Sequence, residues 1–87
     1  MKYKIKEGLV WEEIDGKIVV LDPEKGKYFN LNKTAGEIWK SLKRPLTEKQ
    51  IIDKFRLKYE QEGEVKVARD VKECLKNLLI LRIIVRS

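Results

Sequence analysis

At 87 residues, 43% of them hydrophobic and 39% charged, the chain is one small globular domain spanning 1–87, with a modest core and no room for a second, catalytic unit. Histidine is absent and there is one cysteine, which excludes Ser-His and Cys-His nucleophile pairs, imidazole-bearing zinc sites, CxxC motifs and an internal disulfide; a reduced, cytoplasmic setting fits this usage. The net charge of +6 is carried by residues 32–87, where fourteen basic residues face eight acids, whereas residues 1–31 hold six lysines and six acids.

The opening Met1-Lys2-Tyr3-Lys4-Ile5-Lys6 has no apolar run of the kind a targeting signal needs. Leu9 to Ile14 mixes β-branched, aromatic and charged residues and is followed by Asp15-Gly16, the preferred pair for a type I′ hairpin turn. Lys17 to Leu21 is the return strand. A two-residue loop sets Ile14 against Lys17, Glu13 against Ile18 and Trp11 against Val20. Asp22-Pro23-Glu24-Lys25-Gly26 is a second turn, and Lys27 to Leu31 a third strand with Phe29 and Leu31 on one face, Tyr28 and Asn30 on the other. The expected sheet is a three-stranded meander with the second strand central.

Asn32 is a natural N-cap, and Ala35, Ile38, Trp39 and Leu42 follow on one helical face until Lys43-Arg44-Pro45 ends the helix. Thr47 with Gln50 forms a capping box, with Leu46 and Ile51 as its hydrophobic staple. Ile51, Ile52, Phe55 and Tyr59 line the buried face of the second helix, and Leu57 falls off it. Glu60 to Glu64 is a polar break. A third helix runs from about Val67 to Leu81, its apolar arc wider than one packing stripe requires. The centre of the arc, Val71, Leu75 and Leu78, is expected in the core. The edge carrying Val67, Cys74 and Leu81 is expected to be left over. No aliphatic run is longer than the four residues of Leu78-Leu79-Ile80-Leu81, too short to span a membrane, and Arg82 to Arg86 reads as a short terminal strand. The expected fold class is α+β: the meander, three helices and that strand.

No catalytic constellation emerges. Cys74 has no base to activate it and reads as a packing residue. Glu12 and Glu13 point to opposite faces of a strand and cannot share a substrate. No glycine-rich phosphate loop, metal-ligand cluster or cofactor motif is present. Three helices suggest a helix-turn-helix DNA-binding regulator, but Glu73 and Asp70 interrupt the basic face of the third helix and phosphate repels them. What stands out is the strand Lys27-Tyr28-Phe29-Asn30-Leu31, a sheet edge with one charge, open to a further strand unless the terminal segment or a second copy covers it.

Leu21-Asp22-Pro23-Glu24, Tyr28-Phe29-Asn30-Leu31-Asn32, Gly36, Ile38-Trp39 and Leu42, then Ile51, Tyr59, Asp70-Val71, Leu75 and Leu78, resemble the PqqD-like family, also called the RiPP recognition element. The version here is most similar to the stand-alone proteins of lasso-peptide clusters. The sequence departs from the family in having Lys43-Arg44-Pro45 where Asp-Gly often follows the first helix, and Ile80-Leu81-Arg82 where a glycine often follows the third. The resemblance implies a winged-helix-like domain without catalysis or cofactor. It would bind the leader region of a precursor peptide as an added strand and deliver it to a leader peptidase or other modifying enzyme; the same fold also serves pyrroloquinoline-quinone and other radical-enzyme clusters. Its implied peptide-binding residues are Lys27, Tyr28, Phe29, Asn30 and Leu31 on the strand, with Val67, Asp70, Val71 and Cys74 on the third helix. Tyr28 and Asn30 are expected to share one pocket with the helix residues, and Phe29 to lie behind the strand in the core.

Overall fold

A computed structural model describes residues 1–58 and 63–87 of the chain, without the side chains of Glu64 and Val65. In chain order the elements are β1 (Tyr3–Ile5), β2 (Val10–Ile14), β3 (Lys17–Asp22), β4 (Lys27–Leu31), α1 (Lys33–Ser41), α2 (Glu48–Lys58), α3 (Glu64–Ile80) and β5 (Ile84–Arg86). They form two antiparallel sheets, β2-β3-β4 and β1-β5.

The meander forms in the expected register. Ile14 pairs with Lys17, Glu13 with Ile18 and Trp11 with Val20. Asp15 and Gly16 both adopt positive φ, 52° and 79°, as a type I′ turn requires. At the second turn the buried Asp22 carboxylate accepts the N–H groups of Glu24 at 3.1 Å and Lys25 at 3.2 Å, which folds β4 back onto β3.

The helices are bounded by the expected caps. Asn32 Oδ1 accepts from Ala35 N–H at 2.8 Å, and Thr47 and Gln50 exchange backbone-to-side-chain bonds at 2.8 and 3.1 Å. Ile18, Val20 and Leu31 from the sheet join Ile38, Trp39, Ile51, Val71, Leu75 and Leu78 from the helices in one core. Gly36 lets α1 lie close on β3: a Cβ there would stand 3.0 Å from Ile18 Cγ1. Leu57 is exposed as expected. The expectation for Tyr59 lies outside the described residues.

One expectation about the elements is corrected. The helix α3 begins at Glu64 rather than Val67, with Gly63 at φ 85° as its N-cap; a glycine cap makes no side-chain hydrogen bond and so leaves no capping signal in the sequence to mark the start. The expected terminal strand is present as β5. β5 pairs with β1, an element absent from the sequence reading: Tyr3 stands opposite Arg86 and Ile5 opposite Ile84. Tyr3 also exchanges hydrogen bonds with Leu46 at 2.7 and 3.0 Å, so β1 ties the loop before α2 to the last strand.

Candidate peptide-binding edge

With β5 engaged elsewhere, β4 has β3 on one side and, among the described residues, no strand on the other. The register shows which of its backbone groups are open. The two-residue turn closes on Ile14 and Lys17, which exchange their main-chain hydrogen bonds across it. Alternation along an antiparallel pair then turns the N–H and C=O groups of Lys17, Val19 and Leu21 toward β2, and those of Ile18, Val20 and Asp22 toward β4. The β4 partners of these three are Leu31, Phe29 and Lys27. Tyr28 and Asn30 therefore direct both main-chain groups away from β3, onto the open edge.

Side chains alternate with the same period. Leu31 is buried and Phe29 half-buried against the core, while Tyr28, 69% exposed, and Asn30 stand on the solvent face. There Tyr28 lies in a cross-strand row with Leu21 and the exposed Val10, and Asn30 in a row with Val19 and Glu12. This apolar row is a part of the surface that the sequence reading missed, although the hairpin register already placed Val10, Leu21 and Tyr28 side by side.

The helix residues fall differently. Val71 is 1% exposed, in the core as expected, and so is Val67, at 5%; the expectation that Val67 forms an uncovered rim is corrected. Val67 lies one helical turn before Val71 on the same face, so whatever buries one buries the other. A Val67→Asp change would place a carboxylate in the core and could not separate binding from stability. Cys74 is half-buried beside the core and Asp70 half-exposed, 3.9 Å from Arg69. The expected common pocket does not form, because Tyr28 and Asn30 face solvent across the sheet from the core that α3 packs into. Phe29 and Leu31, not Tyr28 and Asn30, share a core with Val67 and Val71.

A strand added to β4 would present alternate residues to both faces. One set would lie beside Tyr28 and Asn30. The other would lie on the side of Phe29, the face of β4 turned toward the core. Among the described residues no cluster of His, Cys, Asp or Glu could hold a metal ion, and no helix is long and apolar enough to cross a membrane.

Comparison with known proteins accords with this architecture. The family model described as coenzyme PQQ synthesis protein D (PqqD) matches residues 17–84. No curated protein matches the chain significantly. Among solved structures, the protein TbiB1 in complex with the TbiA(beta) leader peptide is 26% identical, with a TM-score of 0.84 over 97% of this chain and 96% of its own. Lasso peptide synthetase B1 complexed with the leader peptide is 19% identical, with a TM-score of 0.81 over 99% of this chain and all of the other, and shows the same fold.

Proposed function

The chain belongs to the PqqD family, and from that membership we propose that it is a single-domain, non-catalytic module that binds the leader region of a ribosomally made precursor peptide by strand addition and presents it to a processing enzyme in lasso-peptide biosynthesis. The observation that carries the reading is the open β4 edge, with the main-chain groups of Tyr28 and Asn30 turned outward. The structural similarity to TbiB1, which is solved with a leader peptide, supports it.

Main-chain pairing supplies affinity without sequence preference, at about 0.5–1.5 kcal/mol net per hydrogen bond. Specificity then comes from side chains on the two faces of the edge. Beside the solvent face these are Tyr28 and Asn30. Beside the core face they are Phe29 with Asp70 and Cys74, where the Asp70 carboxylate can accept a hydrogen bond from a leader hydroxyl or pair with a leader cation. Lys27 and Leu31 bound the strand, and Val67 and Val71 support the helix from within.

Fluorescence polarisation with the leader of this chain's cognate precursor peptide tests the reading. Asn30→Pro removes an outward N–H and should weaken leader binding about tenfold or more while the far-ultraviolet spectrum and unfolding midpoint stay near those of the parent. Phe29→Pro removes an N–H that bonds to β3 and should disrupt the sheet. If Tyr28→Pro and Asn30→Pro both fold and bind the leader like the parent, strand addition at β4 is wrong.

A further inference from the structure

Away from the β4 edge, α3 leaves apolar surface uncovered at its C-terminal end. Ile80 is 66% exposed and lines an open groove of about 620 Å³ between the last turns of α3 and the strand β5. Leu79, Ile80 and Ile84 contribute apolar wall, and Lys76, Arg82 and Arg86 contribute cationic rim; among the described residues no acidic one lines it. Lys6, also at the rim, lies 4.0 Å from Asp22, and Arg86 sits 6.0 Å from the centre of the Tyr3 ring. Lys76 and Arg82 have no ionic partner among the described residues.

Arg82 occupies an unusual place. Its N–H donates to Leu79 C=O at 3.0 Å and that of Ile83 to Leu78 C=O at 3.3 Å, the paired bonds of a Schellman motif. Its φ of 62° is the left-handed conformation that glycine ordinarily supplies there. A side chain at this position strains the backbone, and the guanidinium gains no ion pair inside the described chain to offset it.

We propose that this groove docks the processing enzyme, through a surface segment whose apolar side chains are flanked by Asp and Glu. The inference rests on the functional reading above, because presentation of a leader requires holding peptide and enzyme together. The groove meets that need: it lies against the β1-β5 sheet, whereas the leader edge belongs to the other sheet. Its charge selects the occupant. A second copy of this chain carries a net charge of +6 and would be repelled. A phosphate backbone would satisfy the rim but leave the apolar wall uncovered. An acid-flanked apolar segment satisfies both.

The experiment has two arms, leader binding by polarisation and association with the purified cognate processing enzyme by biolayer interferometry. The paired change Lys76→Glu with Ile80→Glu should weaken enzyme association at least tenfold and leave leader affinity within twofold of the parent. Arg82→Gly should raise the thermal unfolding midpoint yet weaken enzyme association several-fold. The inference is overturned if the parent shows no association with the enzyme, or if both groove variants associate like the parent. It is equally overturned if they lose instead the full-length precursor, duplex DNA or vesicles of anionic phospholipid. Failure of the parent to bind the leader would sink the functional reading alone, since the enzyme arm is scored separately.

Discussion

Cys74 is half-buried on α3, packed against the core. Burial, reinforced by the carboxylate of the neighbouring Glu73, pushes its thiol from 9.0 up to about 11. At pH 8 the folded chain therefore holds about 100-fold less thiolate than the unfolded chain. The sign for stability follows. The contribution of this group is fully present below about pH 9 and is lost as pH rises toward 11, because the unfolded thiol releases its proton first. Alkylation of the native protein by iodoacetamide at pH 8 should run at least about 100-fold slower than in denaturant. A native rate within a few-fold of the denatured one would reveal a reactive thiol and reopen a nucleophilic role. The packing role of Cys74 was legible in the sequence, since the chain has no histidine to activate it. Trp39 was equally legible as core, from its place on the α1 apolar face. Its surroundings were not: it is fully buried, its Nε1 has no hydrogen-bond partner among the described residues, and it meets Trp11 edge-on at 6.2 Å. Trp11 and Trp39 come from different elements, and only the packing of α1 on the sheet brings them together.

Among the elements, the turn between β3 and β4 positions the open β4 edge. One Asp22 oxygen accepts both turn N–H groups, and the residue is 5% exposed. Asp22→Ala leaves those donors without their partner and should cost about 1–3 kcal/mol of stability, with weaker leader binding as β4 loses its anchor. Asp22→Asn keeps an acceptor oxygen and gives up only the 4.0 Å pairing with Lys6, so it should lose less than about 1 kcal/mol. Chemical denaturation of both variants decides this; equal losses would mean that charge, not the turn hydrogen bonds, holds the corner. Local chemistry of this kind made the meander and the first two helices readable. Asp15-Gly16 fixes a hairpin register, and Asn32 and the Thr47-Gln50 pair mark helix starts. The beginning of α3 was obscured because Gly63 caps it without a side chain. The site was half legible: alternation along Lys27 to Leu31 separates its two faces, but the helix residues were assigned to the wrong one, since periodicity says which residues share a face of an element and not where that element packs.

At the scale of the whole molecule, the last strand completes a structure begun by the first. Lys2 and Ser87 exchange main-chain hydrogen bonds at 3.2 and 2.8 Å, and Tyr3, Ile83 and Ile84 are buried in the common core. Nothing local announces this pairing. Tyr3 to Ile5 is a three-residue strand among alternating lysines, with partners some eighty positions away, and a contact that distant leaves no periodic trace. Its energetic weight is nevertheless large. Full burial of an Ile side chain stabilises by about 1.5–3 kcal/mol, so Ile83 and Ile84 together contribute about 3–6 kcal/mol, against a total near 5–15 kcal/mol for a domain. Removing residues 82–87 should therefore leave the chain largely unfolded at 25 °C by circular dichroism. A control carrying Val85→Ala and Arg86→Ala, which spares both buried isoleucines, should unfold within a few degrees of the parent. If the truncated chain instead melted cooperatively near the parent midpoint, β5 would be an accessory to the fold rather than part of its core, and the α3 end of the proposed enzyme groove would have to stand without the strand that forms its other wall.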